Sequence, residues 1–133
     1  MSTRGLIAIE DANGTCRAIY CHHDMYEEGA GTVLLENYKT KEDVEKLLAL
    51  GDLSSLDETP EECFAYHRDR GEELSGPYEW KNRHELAKDG WKFCTAEYVY
   101  LFVLGEWLVS RCENPQKWLR VEDALKELES GDF

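Results

Sequence analysis

Basic residues are scarce in this sequence: 15 Lys and Arg stand against 28 Asp and Glu, a formal net charge of −13 over 133 residues. So negative a chain repels a phosphate backbone, which speaks against direct nucleic-acid binding. Long apolar runs are missing too. No stretch approaches the roughly 18 residues of a membrane span, and the mean hydropathy is −0.59. Met1-Ser2-Thr3-Arg4-Gly5 lacks the apolar core of a signal peptide, so the expectation is a cytoplasmic chain that keeps away from membranes. The cysteines (Cys16, Cys21, Cys63, Cys94, Cys112) are odd in number and contain no Cys-x-x-Cys knuckle, which favours free thiols or a metal site over a disulfide framework. No complete catalytic signature is present either, and the expected role is non-enzymatic, with no cofactor.

What is present is 42% hydrophobic and 11% aromatic content, enough for one domain over residues 1–133 that buries about two-thirds of its unfolded surface. Gly5 to Asp11 and Cys16 to His23 are apolar runs joined through Asn13-Gly14, the strongest short signal for a β-hairpin, because both residues accept positive φ. A two-residue loop sets Glu10 opposite Arg17, Ile9 opposite Ala18 and Ile7 opposite Tyr20. That register puts Ile7, Ile9, Ala18 and Tyr20 on one face and Leu6, Ala8, Ile19 and Cys21 on the other, as in a sheet covered on both sides.

Gly29 to Tyr38 suits a short helix. Thr40-Lys41-Glu42-Asp43 is a capping box in its Asp variant, and Val44, Leu47, Leu48 and Leu50 follow at helical spacing until Gly51. Asp52 to Asp57 reads as a turn, Cys63 to His67 as a strand, Arg68 to Gly76 as a charged surface loop, and Asn82 to Asp89 as a short helix ended by Gly90. Trp91 to Phe93 leads into a second hairpin. Tyr98 to Val103 and Glu106 to Cys112 turn at Leu104-Gly105, which places Tyr98, Tyr100, Phe102, Trp107 and Val109 on one face. Val121, Ala124, Leu125 and Leu128 mark a closing amphipathic helix. The order predicts an α+β domain: a mainly antiparallel sheet of about five strands, made of two hairpins and one strand, packed by two to four helices.

Three groups of residues invite chemistry. Cys21 and His23, with Cys63 and His67, supply a Cys₂His₂ ligand set for zinc. Arg68 and Arg70, with Tyr66 and His22, supply guanidinium and aromatic groups for a nucleotide-sized anion. The middle of the chain is acidic, and Glu61, Glu62, Asp69, Glu72 and Glu73 offer carboxylate rows that imitate phosphate spacing. A cysteine nucleophile at Cys21 is disfavoured, because His22 points to the opposite side of a strand.

Ile19-Tyr20-Cys21-His22-His23-Asp24-Met25-Tyr26, Leu50-Gly51-Asp52-Leu53-Ser54-Ser55-Leu56 and Tyr66-His67-Arg68-Asp69-Arg70-Gly71-Glu72 give the chain a pattern that resembles small uncharacterised proteins encoded by bacteriophages and prophages. The resemblance implies a setting, the cytoplasm of an infected bacterium, and within it anti-defence. The leading expectation is an inhibitor whose acidic surface binds a host defence protein or effector complex that targets nucleic acid, as an anti-CRISPR protein does. The alternatives are a sponge for a nucleotide messenger, held by Arg68, Arg70, Tyr66 and His22, and a small zinc-binding interaction protein. A homodimer is compatible with each.

Overall fold

The first hairpin forms around the Asn-Gly pair, and the rest of the sheet grows from its two strands. The computed structural model describes residues 3–129, in which β1 (Gly5–Glu10) and β2 (Cys16–Cys21) pair antiparallel. Met1 and Ser2 of the leader reading, and the side chains at 91, 93 and 94, lie outside the described residues. Residues 11–15 connect the strands, with the Asp11 N–H donating to Thr15 O at 2.8 Å and the Gly14 N–H to Asp11 O at 2.9 Å. The connection is therefore longer than the two-residue loop expected, and the register shifts by one: Leu6 faces Tyr20, Ile7 faces Ile19 and Ile9 faces Arg17.

A slip of one residue exchanges faces. Ile7, Ile9, Ile19 and Cys21 pack on one side, Leu6, Ala8 and Ala18 with Tyr20 on the other. The expected Glu10–Arg17 pair is replaced by Glu10–Arg83 at 2.9 Å and by Arg17 with Asp11 and Glu45 at 2.9 and 2.7 Å.

After β2 a π-helical turn (Glu27–Gly31) runs into α1 (Thr32–Asn37). Helix α2 (Lys41–Leu48) starts at the capping box, where Thr40 Oγ1 accepts the Asp43 N–H at 3.2 Å. Next come β3 (Leu53–Ser55), β4 (Phe64–Ala65), α3 (Tyr66–Arg70), β5 (Tyr78–Trp80) and α4 (Arg83–Cys94). The second hairpin, β6 (Tyr98–Val103) and β7 (Glu106–Arg111), has the expected register, with Phe102 opposite Trp107 and Tyr100 opposite Val109. Strand β8 (Asn114–Arg120) and helix α5 (Val121–Glu129) complete the described chain.

The result is one small α+β domain, but its sheet differs from the expectation. It has eight strands in the order β4-β3-β2-β1-β6-β7-β8, with β5 also on β2. It is mixed, because β1 runs parallel to β6 and β2 parallel to β3. Helices α1, α2 and α5 cover one face, burying Leu34, Tyr38, Val44, Leu47, Leu48, Val121 and Ala124 against the aromatic face of the second hairpin. Leu86 of α4 packs on the other. Helix α4 also continues through Gly90, where it was expected to end, because a hydrogen there in place of a side chain lets the helix approach Val99 and Leu6. Tyr100 Oη donates to Met25 O at 2.6 Å and Trp107 Nε1 to Tyr38 O at 2.8 Å, whereas the buried Trp118 Nε1 has no hydrogen-bond partner among the described residues.

Arg17 fastens the first hairpin to α2 by donating forks to both Asp11 and Glu45. Its hydrogen bonds hold both carboxyls below their ordinary values of 3.8 and 4.5. Stabilisation from a depressed carboxyl is complete above the unfolded value and disappears as pH falls through the folded one. Arg17→Met is therefore expected to lower stability at pH 7 by about 1–2 kcal/mol, a figure kept small by solvent screening of these partly exposed groups. Urea unfolding at falling pH checks this. The gap between wild type and variant should close below pH 3.8, and a gap constant into strong acid would contradict the assignment.

Candidate functional site

The acidic middle of the sequence folds onto one edge of the sheet, around β3, β4 and α3. The loop before β4 turns on Thr59, whose Oγ1 accepts the Glu62 N–H at 3.3 Å and donates to Glu62 Oε1 at 3.0 Å. Beneath it the buried Cys63 Sγ accepts the Asp57 N–H at 3.2 Å, and Tyr38 Oη donates to Asp57 O at 2.8 Å. Residues 66–70, expected as the end of a strand and the start of a loop, form α3, which Gly71 closes at φ +68°. Asp52, expected in a turn, instead leads into β3. Its half-buried carboxylate accepts the Tyr20 N–H at 2.9 Å and Tyr78 Oη at 2.6 Å, and desolvation pushes its carboxyl up.

Arg68 holds this edge together from within. Its guanidinium donates to the carbonyls of Pro60, Glu61 and Cys63 at 2.9, 3.3 and 2.5 Å, and forks onto Asp69 at 3.0 and 2.9 Å. Asp69 in turn accepts the Ala65 N–H at 2.9 Å, and the Arg68 fork, followed by that bond, holds its carboxyl below the usual range. Arg70 pairs with Glu72 at 2.9 Å and lies 5.6 Å from the centre of the Tyr66 ring. Around them Glu58, Glu61, Glu62, Glu72 and Glu73 are exposed, and Glu58, Glu61 and Glu73 make no ion pair among the described residues.

An anion pocket built from Arg68, Arg70, Tyr66 and His22 is not what these positions form. A cleft of about 220 Å³ does open beside Tyr66, but Tyr20, Asp52, His67, Glu72, Glu73 and Ser75 line the rest of it. Its charges are carboxylates, whereas both arginines point their donors elsewhere. His22 lies outside the lining, with Nδ1 at 2.6 Å from Tyr20 Oη.

The proposed zinc ligands do not meet either. Cys21 is fully buried, with Sγ toward the carbonyls of His23 and Ser54, and burial pushes its thiol up to about 12. Cys63 is buried against Tyr38, while His67 is exposed on α3 with Nδ1 at 2.7 Å from Glu72 O. The four-residue spacing of Cys63 and His67 has no meaning when a strand gives way to a helix between them. Among the described residues no three His, Cys, Asp or Glu side chains gather as metal ligands.

Family models, curated proteins and solved structures give no match to the chain. The site is therefore read from its chemistry alone. No helix among the described residues is long and apolar enough to cross a membrane. Sequence reasoning missed Asp52 as the knot of this edge and Arg68 as its staple. The Asp52–Tyr78 bond joins residues 26 apart, and no local pattern marks it.

Proposed function

We propose that the protein is a non-enzymatic, phage-encoded inhibitor that binds a host effector targeting nucleic acid, with the edge bearing Glu58, Glu61, Glu62, Asp69, Glu72 and Glu73 as its docking surface. One observation carries this reading. Arg17, Arg68, Arg70, Arg83, Arg111 and Arg120 all lie on carboxylates of the same chain, and Arg4 donates to Thr95. The cations best suited to phosphate are thus engaged within the chain, several of them at its surface, while the excess negative charge is presented outward on an edge that Arg68 and Asp52 brace. Fixed carboxylates on a braced scaffold suit a cationic groove, because little ordering entropy is lost on docking.

The test is a cleavage assay with a purified CRISPR nuclease complex. Glu61→Lys with Glu73→Lys alters carboxylates that make no ion pair among the described residues, and is expected to weaken inhibition about 100-fold while leaving the circular dichroism spectrum unchanged. Added salt should weaken wild-type inhibition as well. Full inhibition by the doubly reversed protein removes the acidic edge as the docking surface, and turnover of a substrate by the pure protein removes the non-enzymatic reading.

A further inference from the structure

One arginine differs from the rest. Arg4 makes no ion pair among the described residues and donates only Nη1, to Thr95 Oγ1 at 3.1 Å, where every other arginine lies on a carboxylate. In a chain with 28 Asp and Glu, a guanidinium left on a neutral hydroxyl is the exception. The antiparallel ladder of β1 and β2 ends with Gly5 opposite Cys21, so the next positions outward are Arg4 and His22. By strand alternation they continue the face on which Leu6, Ala8 and Tyr20 meet α4, and Thr95 caps the end of that helix.

Two imidazoles meet at this corner. The rings of His22 and His23 touch edge to face with centroids 4.6 Å apart, and His22 Nδ1 lies 2.6 Å from Tyr20 Oη. His22 Nε2 makes no hydrogen bond among the described residues, and neither do Nε and Nη2 of Arg4. Desolvation, then the His23 ring and the Arg4 guanidinium, hold the His22 imidazole below its ordinary value of 6.5. The carboxylates nearby leave the corner alone. Asp52, ahead of β3, is bound to the Tyr20 N–H and to Tyr78, while Asp24, beside His23, and Glu97, whose N–H donates to Arg4 O, make no ion pair with Arg4 or either histidine.

We infer that Arg4, His22 and His23 form a binding site for a phosphate group. A guanidinium on one strand and an imidazole on the next bring donors to a tetrahedral oxyanion from different directions. A single planar carboxylate would take the arginine fork and leave the rings idle, and the two carboxylates closest along the chain have not done so. Bound between them, a dianion turns the mutual repulsion of Arg4 and a protonated His22 into attraction for both, so binding and protonation favour one another. The net charge of −13 does not forbid this, because at ~0.1 M salt charges beyond about 10 Å are screened and the nearest groups decide. None of the carboxylates of the acidic edge belongs to the site, and it stands whether or not that edge docks an effector.

NMR of the imidazole nitrogens in the full chain tests this, with sulfate as a tetrahedral dianion whose charge is constant across the neutral range. Sulfate is expected to move the His22 titration to higher pH, and its affinity to rise about tenfold as that ring takes up its proton, while chloride at equal ionic strength does neither. Arg4→Gln and His22→Gln should each weaken binding at least about tenfold with an unchanged Tm, and Arg70→Gln should bind like wild type. Inorganic phosphate compared with a nucleoside monophosphate separates the sources: tighter nucleotide binding makes the base part of the ligand, and equal or weaker binding assigns the site to the bare group. A His22 titration that sulfate leaves in place at tens of millimolar, or an Arg4→Gln variant that binds like wild type, overturns the site.

Discussion

Replacing Arg111 by methionine is expected to lower the unfolding free energy by about 3–5 kcal/mol, the largest effect of any single charge removed from this fold. Glu27 opens the π-helical turn after β2 and is only 3% exposed. Arg111, at the end of β7, donates Nε to Glu27 Oε2 at 2.8 Å and Nη2 to Oε1 at 2.9 Å. The fork ties the turn to the hairpin 84 residues away, beside the Tyr100 hydroxyl that holds Met25. Without the guanidinium a carboxylate is left desolvated and unpaired. The opposite replacement, Glu27→Gln, leaves an arginine whose side chain is 29% exposed and reaches water, so its cost should be nearer 1 kcal/mol. The double change Glu27→Leu with Arg111→Met should recover most of the loss, because two apolar groups need no partners. Urea unfolding of the three variants reads this directly, and a loss below about 1 kcal/mol in Arg111→Met would mean that Glu27 finds another donor.

Features written in contiguous residues were legible in the sequence. The Thr40 capping box starts α2, and the two residues Leu104-Gly105 set the register of the second hairpin, since a two-residue loop leaves one choice. The first hairpin was legible as a hairpin but not in register. Its five-residue connection exchanges the faces, and because both faces are buried, either register satisfies the apolar pattern. The strands that raise the count come from pairings over long distances. Tyr78 to Trp80 is extended because it lies along Cys16 to Ala18, and Leu53 because it meets Cys21. Strand β8 contains Pro115 and polar residues, a composition that suits an edge but does not announce one. The parallel contact of β1 with β6 joins segments some ninety residues apart and leaves no periodic trace.

The candidate site divides the same way. Composition alone exposes the carboxylates of residues 57–73, since charged side chains are seldom buried without partners. Composition does not show where an arginine points. Arg68 and Arg70 looked like anion ligands in the sequence, whereas in the fold the nearest carbonyls and carboxylates have already claimed them.

Gly51→Ala is expected to loosen that edge, at a cost of about 3 kcal/mol. Gly51 ends the α2 segment at φ +74°, and a Cβ built there would lie 2.6 Å from the Ser75 backbone oxygen and 2.7 Å from Leu74 Cδ1. That oxygen accepts the Asp52 N–H at 2.8 Å, so any shift that relieves the contact pulls on the bond beside the Asp52 knot. Gly71 separates the two sources of cost. It has nearly the same backbone conformation, φ +68°, yet nothing stands within 4 Å of its Cβ position. Gly71→Ala should therefore cost only the left-handed strain, about 1 kcal/mol, and the difference between the variants measures the contact with the irregular segment at Ser75 that lines the cleft. Thermal unfolding gives both values, and native-state hydrogen exchange locates the change: amides near Asp52 and Tyr66 should lose protection in Gly51→Ala and keep it in Gly71→Ala. Equal losses in the two variants would mean that residues 72–75 yield freely, and that the acidic edge is not braced by the Asp52 contact.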